Sequence, residues 1–290
     1  MSMDTAGVKH APTEQDPRRQ VHPETLGRGP RSCRLAGRRV LVVGAGQRET
    51  VDTDPPMGNG RAIAVLLARE GASVGCLDLM AKAAEATCHI ITVEGGRAVP
   101  LVADVADQAA ISRAVAEASE KLGGLDGLVL NVGISCRKRL DDLTPEDWDR
   151  DYAINVRSHM LFAQQALRVM SPGGAIVLIS SLASQRATSR NPAYESSKAA
   201  QVALARSIAR AGEPQGIRCN SIAPGLIDTP MGRDASRARA DRAAQVPFGR
   251  QGTGWEVAYA AVFLMSNEAS YINGHCLLVD GGLGVGITSG

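Results

Sequence analysis

The sequence has no paired cysteines, no cluster of metal-ligating side chains, no long apolar run and no excess of one charge. Six cysteines, Cys33, Cys76, Cys88, Cys136, Cys219 and Cys276, are scattered through 290 residues without a CxxC pair. That argues against a disulfide framework and for reduced thiols in a reducing compartment. The five histidines, His10, His22, His89, His159 and His275, neither cluster nor fall at ligand spacing with cysteine or carboxylate, so no metal is expected. No uninterrupted apolar stretch reaches the roughly 20 residues that a bilayer span needs. The first residues also lack the apolar core of a secretory signal, so the expectation is a cytoplasmic protein without a membrane partner. A formal charge of +2 with 21% charged residues gives no field that would draw nucleic acid.

What is present is 44% apolar residues, enough to fill the core of one large α/β domain. Residues 1–34 stand apart: Pro12, Pro17, Pro23 and Pro30 sit among charges with no sustained apolar period, and this segment reads as a disordered or loosely docked arm. A transit peptide is the weaker reading, because Asp4, Glu14, Asp16 and Glu24 dilute its basic character. From Arg38 onward, short β-rich runs at 40–43, 73–77, 98–102, 127–130, 175–179, 218–222 and 276–279 alternate with helical stretches at 61–69, 108–122, 147–170, 193–211 and 256–265. The strands are continuously apolar rather than alternating, as strands covered on both faces are. This rhythm predicts a single-domain Rossmann-like doubly wound sheet of about seven parallel strands with helices on both faces, spanning 35–290 with a lid at about 228–250.

In such a sheet a dinucleotide lies across the carboxyl ends of the strands, with its pyrophosphate at the N-terminus of the first helix. After the first strand comes Gly44-Ala45-Gly46-Gln47, but Glu49 stands where a literal GxGxxG needs its third glycine. The helix-opening part follows later as Gly58-Asn59-Gly60, so residues 48–57 read as an insertion inside the phosphate loop. Turn-forming glycines are the bland alternative; their place between a strand and a helix favours the functional reading. The second strand ends in Asp78-Leu79, where a carboxylate can accept the adenosine ribose hydroxyls and would repel a 2′-phosphate. NAD is therefore expected over NADP. No arginine follows Asp78 to receive a 2′-phosphate, although Arg48 in the insertion is a candidate, and Asp78 as a helix cap is the structural alternative. Asp104-Val105 and Asn131-Val132-Gly133, at the ends of the third and fourth strands, complete this wall.

Tyr194-Glu195-Ser196-Ser197-Lys198 then matches the YxxxK signature of the classical short-chain dehydrogenases/reductases. Ser181 lies 13 positions before Tyr194, Asn155 falls in the preceding long helix, Pro224-Gly225 follows the sixth strand with Thr229 soon after, and Val279-Asp280-Gly281-Gly282 closes the last strand. Over roughly residues 35–286 the chain resembles that family, departing from it in the interrupted glycine loop, at Val43 where threonine is usual, and at Leu130 where asparagine is usual. The physical case runs beside the resemblance. Tyr194 and Lys198, four apart on a helix, share a face, and a nearby ammonium and an oxidised nicotinamide both favour phenolate. That draws a phenol of pKa about 10 toward the working range of a proton carrier. The resemblance implies that Ser181 hydrogen-bonds the substrate oxygen, that Asn155 holds a water linking Lys198 to solvent, and that Pro224, Gly225, Ile227 and Thr229 orient the nicotinamide carboxamide.

The reaction so implied is NAD-dependent interconversion of a secondary alcohol and a ketone. An epimerase or dehydratase ranks below it, because the larger C-terminal substrate domain of such enzymes is missing. A catalytically silent NAD-binding regulator or scaffold is the rival from another class, kept open by the broken glycine loop. Arg137, Lys138 and Arg139, Arg186 and Arg190, and Arg233, Arg237, Arg239 and Arg242 line the expected substrate loops. They could gather a carboxylate, phosphate or acyl-carrier substrate, but solvated or subunit-contact arginines come first. The resemblance also implies a homodimer or homotetramer, through the helices after Asp147 and Ala193 and the glycine-rich segment 282–286.

Overall fold

The computed structural model describes residues 21–50, 52–186, 190–237 and 240–285. Its strands are β1 (Arg39–Val43), β2 (Ser73–Asp78), β3 (Arg97–Val102), β4 (Leu125–Leu130), β5 (Met170–Ile179), β6 (Arg218–Pro224), β7 (Ile227–Asp228), β8 (Gly252–Thr253) and β9 (Cys276–Val279). The helices are α1 (Asn59–Arg69), α2 (Ala81–Val93), α3 (Gln108–Leu122), α4 (Pro145–Tyr152), α5 (Ser158–Val169), α6 (Pro192–Gly212), α7 (Pro230–Arg237) and α8 (Gly254–Met265). One seven-stranded, all-parallel sheet runs in the order β3-β2-β1-β4-β5-β6-β9, and β7 pairs with β8 in a separate short ladder. The doubly wound parallel sheet expected from the strand rhythm is therefore present.

The reason lies in the two faces of each strand. Side chains alternate across a strand, so Val40 and Val42 of β1 enter one core layer with α1 and α8, while Leu41 and Val43 enter the opposite layer with α3 and α5. Both layers are apolar and buried, and a strand serving both must be apolar at every position. The order reverses between β1 and β4, which opens a crevice at the carboxyl ends of the strands.

Two expectations about helices need correction. α2 has no counterpart among the predicted helices: its inward stripe is Ala84, Thr87, Cys88 and Ile91, at helical spacing but with little contrast against apolar residues on the outer face. The single helix expected over 147–170 is interrupted. A capping box between Thr144 and Asp147, with Pro145 in the first turn, starts α4 early. A π-turn over Ala153–Arg157 separates α4 from α5, and Met170 already belongs to β5.

Residues 23–34 pack on the layer formed by α1 and α8. Thr253 Oγ1 donates to Thr25 O at 2.8 Å, Arg69 Nη1 donates to Gly27 O at 2.6 Å, and the Arg69 guanidinium lies over the Trp255 ring. The backbone N–H groups of Ser32 and Arg34 and the Arg34 guanidinium converge on the buried Glu70 carboxylate at 3.3, 3.1 and 3.1 Å. Burial pushes the Glu70 pKa up, yet these bonds outweigh it and leave the carboxyl below its usual value. Its contribution is therefore complete above the usual carboxylate range and is lost as the pH falls through the depressed value. Glu70→Ala is expected to cost about 2 kcal/mol, or roughly 4–8 °C in Tm, in a thermal melt at neutral pH, with the difference from wild type shrinking in acid. The expected arm over residues 1–34 otherwise falls on 1–20, outside the described residues. No helix among the described residues is long and apolar enough to cross a membrane.

Candidate active site

The carboxyl ends of β1 to β5 frame a cleft of about 580 Å³, within the usual size of a ligand or cofactor site. Its outer half is built by glycine. Gly44 leaves β1 in the left-handed region (φ +81°), and the N–H groups of Gly44 and Ala45 both donate to Leu77 O on β2. Asn131 Nδ2 donates to Gly44 O at 2.9 Å, fixing the ends of β1 and β4 together. The first turn of α1 crosses so closely that a Cβ on Gly60 would lie 1.8 Å from Gly44 O. Only glycine permits that approach.

Gln47 explains how the loop survives its interruption. Its Oε1 accepts the N–H of Gly58 at 2.8 Å, so the two halves of the glycine motif are stitched across residues 48–57. The inserted segment turns toward α7. Asp52 pairs with Arg237 at 2.5 Å and lies 3.9 Å from Arg233, Arg233 donates to Asp54 O, and Arg48 donates to Pro230 O. The Asp52 carboxylate thus faces the arginines of α7. Of the basic residues expected around the substrate, Lys138 pairs with Asp147, Arg186 donates to Leu283 O, and Arg233 pairs with Asp228 as well. Arg239 lies outside the described residues. Arg150, on α4, lines the cleft instead, a residue that loop-based reasoning passed over.

Asp78 closes the outer end. Its Oδ2 accepts the N–H of Gly46 at 3.0 Å and its Oδ1 the N–H of Met80 at 3.2 Å. Leu79, Asp104, Val105, Asn131, Gly133 and Thr229 line the same cleft. Pro224, Gly225 and Ile227 do not; the Gly225 N–H is held by Val279 O, and Pro224 and Ile227 are buried behind the wall. Asn59 Oδ1 is buried in this wall without a hydrogen-bond partner. An orphaned acceptor at the opening of α1, next to a cradle that any Cβ would fill, fits a dinucleotide with hydroxyl donors and an extended phosphate group.

The inner end carries the reactive groups. Tyr194 and Lys198 project from one face of α6 into the cleft, with the Lys198 ammonium 5.5 Å from the Tyr194 ring centre. Ser181 ends β5 beside the phenol, where its hydroxyl also accepts the Ala183 N–H. Burial pushes the Tyr194 phenol up, and the Ser181 hydroxyl works in the opposite direction. Burial alone lowers the Lys198 pKa to about 7. The phenol thus stands above its ordinary value, because the cost of burying a phenolate, with the Asp151 charge adding to it, exceeds the help of the Ser181 hydroxyl; the lowering expected from the sequence drew on an oxidised nicotinamide as well as the ammonium. Asn155 is wholly buried in the π-turn. It accepts the Ile134 N–H at 2.8 Å and donates to Ile134 O and Ser197 Oγ, both at 2.9 Å, clamping the segment after β4.

Known proteins resemble the chain in sequence and in fold. Residues 56–284 match the model of the family described as enoyl-(acyl carrier protein) reductase. The 2-(R)-hydroxypropyl-CoM dehydrogenase of Xanthobacter autotrophicus is 36% identical over 243 residues, covering 81% of this chain and 97% of that protein. The chain belongs to the short-chain dehydrogenase/reductase family. The mouse (3R)-3-hydroxyacyl-CoA dehydrogenase is 34% identical over 262 residues, 86% of this chain and 97% of that relative. Among solved structures, a Burkholderia cenocepacia short-chain dehydrogenase in complex with NADP superposes with a TM-score of 0.79 at 36% identity, covering 86% of this chain and 99% of its own. As a short-chain dehydrogenase/reductase the chain is an oxidoreductase of a class that binds nicotinamide cofactors, and its named relatives act on alcohols. The family match opens at residue 56, inside the insertion, so β1 and residues 44–47 precede it.

Proposed function

We propose that this protein is an NAD(H)-dependent oxidoreductase interconverting a secondary alcohol and a ketone, with Tyr194 as the proton carrier. The observation that carries the proposal is the convergence of the Tyr194 phenol and the Lys198 ammonium at the inner end of one cleft, with the Ser181 hydroxyl bonded to the phenol and the glycine cradle and Asp78 at the outer end. When bound, the nicotinamide cofactor accepts or supplies the hydride. The Ser181 hydroxyl donates to the substrate oxygen and stabilises charge developing there. Tyr194 Oη gives its proton to that oxygen during reduction and takes one back during oxidation. Lys198 lowers the cost of the phenolate, and Asn155 fixes the loop that faces both, with a water-holding role implied by the family. Gly46, Gln47, Asn59 and Gly60 would hold the pyrophosphate end, shaped by Gly44, with Asp104, Val105, Asn131 and Gly133 the wall beyond it and Thr229 the carboxamide end.

Asp78 supports NAD over NADP, because its carboxylate would stand against a 2′-phosphate. NADH is expected to bind at least about tenfold more tightly than NADPH in a fluorescence titration, and Asp78→Ser is expected to erase or invert that ratio. Equal affinities in wild type would remove Asp78 as the selector. A substrate bearing a carboxylate or phosphate is a further part of the proposal, supported by Arg150 in the cleft wall. Equal kcat/KM for a keto acid and its amide would exclude it. We also propose a cytoplasmic homodimer or homotetramer, the assembly to be read by light scattering on the purified chain.

A further inference from the structure

Behind the reactive groups lies a polar pair that the proposed mechanism does not use. Gln201 sits on the face of α6 that carries Tyr194 and Lys198, at positions i, i+4 and i+7, and both it and His159 of α5 are completely buried. Buried amides and imidazoles of this kind are costly unless every group is satisfied, and here each one is. Lys198 Nζ donates to Gln201 Oε1 at 3.1 Å and to Ile179 O at 3.0 Å. The Gln201 amide nitrogen donates to Asn155 O at 2.6 Å and faces His159 Nδ1 at 3.0 Å. His159 Nε2 lies 3.0 Å from Val132 O.

The roles in this chain are forced. An ammonium only donates, so the amide oxygen must face Lys198 and the amide nitrogen must face Asn155 O and His159. A carbonyl only accepts, so Nε2 carries the His159 proton and Nδ1 accepts from Gln201. Burial, reinforced by the Lys198 charge, lowers the His159 pKa to about 3, which keeps the ring neutral. The chain of bonds runs from Val132 O, beside Gly133 in the cleft, through His159 and Gln201 to the ammonium. A Cβ on Gly133 would stand 3.0 Å from Lys198 Nζ, so the ammonium is packed against the loop that the network holds.

We propose that Gln201 is a positioning residue for Lys198, holding the ammonium at the Tyr194 side of the cleft and tying it through His159 to the loop after β4. The inference rests on the reading of Tyr194 as proton carrier and adds to it two residues outside the Asn-Ser-Tyr-Lys group. The titratable groups around the ammonium are Tyr194 on its own helix, His159 on α5 and, acting on the phenol, Asp151 on α4. Removing the Gln201 oxygen withdraws one of two acceptors from the cation, so the charged form of Lys198 is favoured less and its pKa falls further.

The test is a pH titration of ε-carbon-labelled lysine by carbon NMR on the full chain, with the Lys198 resonance assigned from Lys198→Met. Gln201→Met, nearly equal in volume, is expected to lower the Lys198 midpoint by about one pH unit, a tenfold loss of ammonium at a fixed pH above it. The other four lysines should keep theirs. Gln201→Asn keeps an amide but is one methylene too short, and should give the same shift if the Met variant does not fold. An unmoved Lys198 midpoint in a folded variant, or an equal drift of all five lysines, overturns the inference. Turnover of Tyr194→Phe is read separately: a variant that keeps its rate removes the proton-carrier reading whatever the titration shows.

Discussion

Replacing Tyr194 by Phe is expected to lower kcat by about a thousandfold while leaving NADH affinity within a few-fold of wild type. The change deletes one oxygen and keeps the ring in the cleft wall, so the loss should fall on proton transfer and not on packing. The measurement is a screen of secondary alcohols with both proteins, alongside an NADH fluorescence titration. Retained turnover would place the proton carrier elsewhere. Tight NADH binding with no turnover in either protein would favour the silent regulator or scaffold, and the intact Ser181, Tyr194 and Lys198 group would then need another explanation. Lys198→Ala should reduce kcat as well, because it removes the one cation that faces the phenol from the same helix.

Gly60→Ala is expected to cost about 2–3 kcal/mol, a Tm drop of roughly 4–10 °C, and to abolish measurable NADH binding. The added Cβ would meet Gly44 O at 1.8 Å. A backbone oxygen cannot move aside as a side chain can, so α1 must back away from the first loop. The same step disperses Gly46, Gln47 and Asn59, which face the cleft together. Gly95→Ala is the control: with φ +83° it carries backbone strain, but a Cβ there meets nothing within 4 Å, so it should lower Tm slightly and leave NADH binding intact. Wild-type affinity in Gly60→Ala would mean that the cradle is not where the nucleotide sits.

Much of this architecture was legible in the residues. Strands buried on both faces read as unbroken apolar runs, and the seven runs became the seven strands of the main sheet within a few residues of the expected bounds, apart from an early start to β5. The YxxxK spacing works at long range because helical periodicity carries Tyr194 and Lys198 to one face wherever the helix lies. Other parts were hidden. α2 turns Ala84, Thr87, Cys88 and Ile91 inward, and its outer face is apolar enough that the two faces contrast less than in α1 or α3. The π-turn around Asn155 depends on bonds to Ile134 and Gln201, partners 21 and 46 residues away. Nothing local to 153–157 signals it.

The glycine loop divides the two kinds of information most clearly. Local conformation and hydrophobic period are properties of neighbouring residues, so the sequence by itself determined the alternation of strand and helix, the special backbone at Gly44 and the shared face of Tyr194 and Lys198. Only the tertiary structure decided that Gln47 spans the insertion to Gly58, that Asp52 turns to Arg237 on α7, and that His159 meets Gln201 and Gln201 meets Lys198 in a buried cluster. Those contacts join residues far apart in the chain. Their geometry is set by how helices pack across a sheet, where burial makes each unpaired polar group costly and so selects which partners must meet.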